Sequence, residues 1–165
     1  MRTKTKITRN PKRRELIVER KVAIPRNLAW QGWTRREHIV HWWGPREWTA
    51  TVYEMDVKPA GVWRYSLTSN EEMGEKTYCK AIYREVIEPT KLVYTDTFTD
   101  KDWNVVEGSD MYTTVTFLEV SGGTKLSIIT HFANIEDLKA AEGMGMIDGF
   151  KDTIDRLEEY LSTHL

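Results

Sequence analysis

Apolar and β-branched positions alternate with polar ones through much of residues 15–132, and turn residues interrupt the pattern at regular intervals. This period of two predicts a first strand at 15–24, followed by three hairpins. The hairpin turns lie at 58–61, 88–90 and 121–124, where Pro and Gly occur. The six hairpin strands are predicted at 48–57, 62–68, 77–87, 91–98, 111–120 and 125–132. Strands joined by short turns pair in antiparallel fashion, so the sequence predicts a seven-stranded antiparallel meander.

A helical period replaces the strand period in two places. Apolar residues after Pro25 follow helical spacing as far as Trp43, which predicts two short helices. Thr34 has Glu37 three residues later, an arrangement typical of a capping box, so the second helix is predicted to begin at Thr34. Near the C-terminus, apolar residues at 150, 154, 157 and 161 predict one long amphipathic helix over about 148–163.

This order of elements predicts an internal cavity. A sheet with one apolar face must be covered, and one long helix can lie across it. A curved sheet that holds a single helix leaves a gap, which the two short helices would close at one end. Small-molecule sites form in such gaps. We therefore predict one domain over residues 15–165, preceded by an extended basic arm over 1–14.

Charge and composition narrow the class of protein. The arm carries seven basic residues and no acidic one, whereas the rest of the chain has a balance of −8. An acidic body repels phosphate, so no nucleic-acid partner is predicted, and the arm is interpreted as solvated or as an edge strand. Cys79 is the single cysteine, which indicates a reducing compartment. No apolar run is long enough for a bilayer, so we expect no membrane insertion and a cytoplasmic location.

Five of the seven tryptophans lie between Trp30 and Trp48. This stretch, from Pro25-Arg26-Asn27-Leu28-Ala29-Trp30 through Trp42-Trp43-Gly44-Pro45, resembles the opening of the SRPBCC (START-like, birch-allergen-like) superfamily. The most similar branch is the one related to the activator of heat-shock chaperone ATPase. Segments 56–63 and 88–95 and the pair Gly149-Phe150 fit the same branch. Ala60 stands where the branch usually has Gly, and Phe150 where it usually has Trp.

The resemblance implies an α+β helix-grip fold. In that fold a seven-stranded curved antiparallel sheet, two short helices and one long C-terminal helix enclose a cavity. Members of the superfamily include lipid carriers, hormone receptors, polyketide cyclases, aromatases and chaperone regulators. The fold therefore implies no single chemistry, and function has to be argued from the site.

The expected lining of the cavity comes from aromatic and methionine side chains. The tryptophans mark the entry into the sheet, and methionine adapts to varied apolar guests. The predicted ligand-binding residues are Trp42, Trp43, Trp48, Trp63, Tyr65, Tyr94, His131, Met144, Met146 and Phe150. Strand alternation alone leaves open whether Tyr53, Tyr65 and Tyr94 point inwards, because a bulge reverses the parity. Packing in the core is the alternative role for each of the predicted ligand-binding residues.

Catalytic residues stay unassigned, an enzymatic function is less favoured than binding, and no metal or cofactor site is predicted. His38 and His41 lie three residues apart, but no third ligand with zinc-site spacing accompanies them. The sequence shows no Cys-His arrangement that would make Cys79 a nucleophile, and it has no glycine-rich phosphate loop. The acidic residues Asp96, Asp100, Asp102, Glu107 and Asp110 lack EF-hand spacing and are interpreted as a solvated loop.

Three functions remain open at this point. The first is binding of a small hydrophobic or aromatic molecule in the cavity, without catalysis. The second is a cyclase or aromatase that uses inward polar side chains. The third is regulation of a chaperone ATPase, ranked last because the activators of this branch usually carry an additional N-terminal domain. Homodimerisation through aromatic surface or edge strands is also left open.

Overall fold

The computed structural model describes residues 5–71 and 73–164. Eight strands and four helices occur within these residues. In chain order they are β1 (Lys6–Asn10), β2 (Glu15–Val22), α1 (Arg26–Thr34), α2 (Arg36–Ile39), β3 (Trp48–Met55), β4 (Val62–Ser69), β5 (Lys76–Ile87), β6 (Lys91–Thr99), β7 (Met111–Val120), β8 (Gly123–Phe132), α3 (Ile135–Gly143) and α4 (Met146–His164). The α+β class and the long C-terminal helix are as predicted.

All eight strands form one antiparallel sheet in the order β1-β2-β8-β7-β6-β5-β4-β3. The predicted count of seven was one too low, because part of the basic arm forms β1 and pairs with β2 from Lys6↔Glu19 to Asn10↔Glu15. Only Ile7 of this strand packs against the core, so the arm lacks the apolar alternation by which a strand is recognised. Residues 1–4 of the arm lie outside the described residues.

The register decides the direction of the strand tyrosines. Tyr65 and Tyr94 are buried on the face that the helices cover, whereas Tyr53 is on the opposite face and 42% exposed. Irregularities in pairing occur between Val52 and Glu54 in β3 and between Tyr83 and Glu85 in β5. Such bulges shift the alternation by one residue and increase the local twist of the sheet. The skipped residues are Tyr53 of β3 and Arg84 of β5, whereas the pairing is continuous through Tyr65 of β4 and Tyr94 of β6.

The helix boundaries differ from prediction at two places. Thr34 does not cap α2; it ends α1 and donates its hydroxyl hydrogen bond to the Trp30 carbonyl at 2.8 Å. Arg35 precedes α2 instead, with no side-chain cap. The chain before the long helix forms a separate helix, α3, and Gly145 with φ of +85° follows it. Because φ is positive there, a residue without a side chain is favoured at the turn.

Aromatic rings fill the end of the molecule where α1 and α2 meet the sheet. Trp33 packs edge-on against Trp42, Trp43 and Phe117 with ring centroids 4.8–6.0 Å apart. Trp42 is fully buried and donates its indole N–H to the Gly32 carbonyl at 3.0 Å. Trp63 stacks on Tyr65 at 4.5 Å. Aromatic rings therefore fill the space between these two helices and the inner face of the sheet.

Arg156 of α4 connects the long helix by hydrogen bonds to the segment between α2 and β3. Its guanidinium donates hydrogen bonds to the backbone carbonyls of Gly44 at 2.8 Å, Pro45 at 3.1 Å and Trp48 at 3.3 Å. Arg20 of β2 binds the same helix through Glu158 at 2.7 Å and through Asp155. No helix among the described residues has the length and apolar character needed to cross a membrane.

Replacing Arg156 with methionine is expected to lower the free energy of unfolding by about 2 kcal/mol, because the loop carbonyls lose charged hydrogen-bond donors. Chemical denaturation with a constant m-value measures the change. The control is Lys151→Met, which removes an exposed cation from the same helix. Equal effects from the two variants would show that charge removal, and not the contacts with the loop, sets the stability.

Candidate functional site

Two adjoining hollows lie between the inner face of the sheet and the turn that joins α3 to α4. Each has a volume of about 350 Å³, within the usual range for small-molecule pockets. They share six lining residues: Pro45, Tyr65, Leu67, Phe98, Met111 and Met144. We call the two hollows together the elbow pocket. Its inner part reaches into the sheet at Cys79 and Asp96, and its outer part runs along α4 past Gly149 to Thr153.

Gly44 and Gly149 line the outer part of the elbow pocket. Gly44 has φ of +97°, and a Cβ built on it would lie 2.8 Å from the Leu67 side chain. Gly149 lies within α4, where a Cβ would meet only the Pro45 ring at 3.5 Å. A larger side chain at Gly149 would therefore extend into the space between α4 and the sheet.

Six of the ten predicted ligand-binding residues line the elbow pocket. They are Trp43, Trp48, Tyr65, Met144, Met146 and Phe150. The remaining four do not line it. Trp42, Trp63 and Tyr94 are buried in the packed core next to the pocket. His131 lies on β8, beside Glu15 at 3.8 Å and Arg14 at 3.4 Å.

Asp96 is the lining residue that most changes the chemistry of the pocket, and its interpretation as part of a solvated loop was wrong. It lies within β6, opposite Ala81 of β5 and Met111 of β7, and is 9% exposed. The alternation from Leu92 through Tyr94 continues to Asp96, and this signal places the residue on the inner face. The predicted strand at 91–98 already contained Asp96, but the acids that follow it led to its assignment to the solvated link.

The Asp96 carboxyl is only partly satisfied. Its Oδ2 accepts a hydrogen bond from the Tyr65 hydroxyl at 2.9 Å, whereas its buried Oδ1 has no partner among the described residues. Burial raises the pKa of Asp96 from its ordinary 3.8 to about 7, and the hydrogen bond from Tyr65 acts in the opposite direction. The pocket therefore contains a carboxyl group that changes charge near neutral pH.

No other side chain in the described lining carries charge near neutral pH. Burial raises the pKa of Tyr65 well above its ordinary value, and burial, with the nearby Asp96, also raises the pKa of Cys79. None of the described lining residues is a lysine, arginine or histidine. The charge that the lining can carry at pH 6–8 is therefore the negative charge of Asp96.

Cys79 provides a chemical probe of the inner hollow. Because the thiol is buried and its pKa is raised, we expect it to react with iodoacetamide at least about tenfold more slowly at pH 8 than free cysteine. Mass spectrometry of the intact chain measures the rate, with the denatured chain as the control. A rate equal to that of the denatured chain would place the thiol outside a closed interior.

The two histidines considered as metal ligands have packing roles. His38 Nδ1 lies 2.9 Å from the Tyr160 hydroxyl, and the His41 ring stacks on the Tyr160 ring at 5.0 Å. Within residues 5–71 and 73–164, no group of three or more histidine, cysteine or acidic side chains is placed to hold a metal ion.

A larger hollow of about 570 Å³ lies at the opposite end of the sheet. It is bounded by the turn between β7 and β8 and by the start of α1, with Arg26 and Glu119 among its lining residues. These two side chains form an ion pair at 3.4 Å, so each charge is already neutralised by the other. The elbow pocket has the stronger features of a binding site, because it combines aromatic walls with one unsatisfied polar group.

Comparison with known proteins identifies the family of the chain. The model of the family described as "Activator of Hsp90 ATPase homolog 1-like protein" matches residues 23–162. A comparison with curated proteins finds no significant match.

Several solved structures share the fold. A Mycobacterium smegmatis protein is 26% identical with a TM-score of 0.86, and the match covers 95% of each chain. A Staphylococcus epidermidis protein is 26% identical with a TM-score of 0.83, covering 96% of this chain and 95% of that one. An Arthrobacter aurescens protein has a TM-score of 0.89 at 21% identity, covering 96% and 91% of the two chains, and at this identity shows the fold alone.

Proposed function

Because the chain belongs to the family of activator of Hsp90 ATPase homolog 1-like proteins, we propose that it holds a small apolar or aromatic molecule in the elbow pocket. The superfamily fold is suited to ligand binding or regulation, and the site decides between chemistries. Of the ligand-binding residues expected from the sequence, we retain Trp43, Trp48, Tyr65, Met144, Met146 and Phe150. We add Leu67, Phe98 and Met111.

The main support for this proposal is that side chains fill the space between helices and sheet at one end of the molecule but not at the other. Tryptophan rings pack the space below α1 and α2, whereas the space below the α3–α4 turn keeps apolar walls without a side chain to fill it. Met144 at this turn is 82% exposed. A solvent-exposed apolar surface of this kind is favourable to cover, and a guest in the pocket would bury it.

The proposal predicts that naphthylethanol, a neutral aromatic probe, binds with a Kd of about 0.1–1 mM, as expected for a ligand of this size. Gly149→Phe should weaken binding at least about tenfold because its ring occupies the outer hollow. The variant should still fold, because Gly weakens a helix by about 1 kcal/mol relative to Ala and its replacement in α4 removes this penalty. Titration calorimetry measures both affinities.

Gly143→Phe is the matched control. It adds the same ring to α3 at a position where a Cβ meets nothing within 4 Å. Unchanged affinity in this control, with loss in Gly149→Phe, supports the proposal. Equal affinity in all three chains would exclude the elbow pocket as the site.

The Tyr65–Asp96 pair favours a second candidate, a cyclase-like or aromatase-like enzyme. A carboxyl group with a pKa of about 7 can transfer a proton at neutral pH when a carbonyl compound lies against it. This candidate predicts turnover of a poly-β-carbonyl substrate that follows one ionisation near pH 7 and is lost in Asp96→Asn. Product formation followed by mass spectrometry tests it, and turnover that persists in Asp96→Asn would contradict it.

A further inference from the structure

We infer that the guest of the elbow pocket is an apolar amine whose ammonium group is held against Asp96. This inference rests on the proposed binding function and specifies the chemical class of the ligand. Four observations support it: the unsatisfied carboxyl oxygen, the charge of the lining, its aromatic rings and the neutrality of the groups around Asp96.

The first observation concerns hydrogen bonding. A carboxylate accepts hydrogen bonds through both oxygens, and Tyr65 satisfies only Oδ2. Oδ1 is buried without a partner in the described part of the chain, in a residue that lines the inner hollow. An unpaired buried acceptor is unfavourable, and a donor carried by a guest would supply what Oδ1 lacks.

The second observation concerns the sign of the charge. Asp96 is the one acid in the described lining, and no basic side chain accompanies it. A guest with a carboxylate or phosphate would place two negative charges in a poorly solvated space. An ammonium group would instead neutralise the single charge and form a charge-assisted hydrogen bond. The lining therefore favours a cation and disfavours a fatty acid.

The third observation concerns the walls. Trp43, Trp48, Tyr65, Phe98 and Phe150 present aromatic rings to the pocket. The negative faces of such rings attract cations, particularly where water is excluded. Methionines 111, 144 and 146 supply adaptable apolar surface around them. Such a lining is suited to a molecule with a hydrophobic body and one positive end.

The fourth observation concerns the groups that face Asp96. They are Tyr65 from β4, Cys79 and Tyr83 from β5, and Tyr94 from β6 itself. Burial raises the pKa of each of the four, so none of them ionises between pH 6 and 8. A pH dependence of amine binding in this range would therefore report on Asp96, because an alkyl amine stays protonated.

The experiment compares three matched probes by calorimetry: naphthylethylamine, naphthylethanol and naphthylacetate. At pH 8 the amine is expected to bind at least about tenfold more tightly than the alcohol, and the acid most weakly. Between pH 8 and pH 6 the affinity for the amine should fall about tenfold, since a carboxyl with a pKa of about 7 becomes protonated. The affinity for the alcohol should change little.

Asp96→Asn should abolish both the preference for the amine and its pH dependence while the alcohol still binds. Asp102→Asn, which alters an exposed acid outside the pocket, should retain both. Equal binding of amine and alcohol, tighter binding of the acid, or a preference that persists in Asp96→Asn would overturn the amine assignment and leave the binding function standing. If none of the three probes binds, the binding function fails and the amine assignment fails with it.

Discussion

At pH 8, Asp96→Asn is expected to raise the free energy of unfolding by up to about 4 kcal/mol. The pKa of Asp96 is about 7 in the folded chain against an ordinary 3.8. Because the folded-state pKa is the higher one, the unfolded chain releases this proton first as the pH rises. The cost of the buried carboxyl is absent below about pH 4, grows between pH 4 and 7, and is complete above pH 7. Asparagine stays neutral and can still accept the Tyr65 hydrogen bond.

Denaturant unfolding of both chains from pH 4 to pH 8 measures this difference. The variant should gain stability relative to the natural chain as the pH rises, with little difference at pH 4. Asp102→Asn controls for the loss of an exposed carboxylate and should show no comparable gain. A difference that stays constant across the range, or that is largest at pH 4, would contradict a raised pKa at Asp96.

Trp42→Ala is expected to lower the free energy of unfolding by about 4 kcal/mol, because it leaves a cavity in the packed end of the core. Trp42 is fully buried, contacts the Trp33 and Trp43 rings and donates a hydrogen bond to the Gly32 carbonyl. Its loss also leaves this carbonyl without the indole donor. Denaturant unfolding measures the effect.

Trp48→Ala is the matched comparison, since Trp48 is half-buried and lines the inner hollow. We expect a smaller loss of stability, of about 1–2 kcal/mol, together with weaker binding of naphthylethanol. The two variants thus distinguish the structural role of Trp42 in the core from the ligand-binding role proposed for Trp48. Comparable losses of stability, with unchanged probe binding in Trp48→Ala, would contradict this division.

Much of the fold could be predicted from the sequence because its signals are local. Three hairpin turns and period-two alternation specified six strands, and the spacing of Ile154, Leu157 and Leu161 specified the long helix. The sequence left the arm open between a solvated segment and an edge strand, because β1 packs only Ile7 against the core and has little alternation. The supposed cap at Thr34 failed because its hydroxyl bonds back to Trp30 inside α1.

The site could be predicted less completely because its shape depends on non-local packing. Trp42 and Trp43 are neighbours in sequence, yet Trp42 lies in the core and Trp43 lines the pocket. Asp96 could be placed inside only by following the strand alternation past Tyr94 into an acidic segment. Its unsatisfied Oδ1 depends on how β4 and β6 are brought together across the sheet. No local pattern contains that information.

An NMR titration with naphthylethanol shows whether the elbow pocket accepts a small apolar guest. If the guest binds there, we expect saturable shifts at the indole of Trp48 and the methyl groups of Met144 and Met146, all pocket-lining residues. The indole of Trp42, in the packed core, should shift little. Shifts that do not saturate, or that fall on Trp42 or at the opposite end of the sheet instead, would show that the elbow pocket is not the binding site.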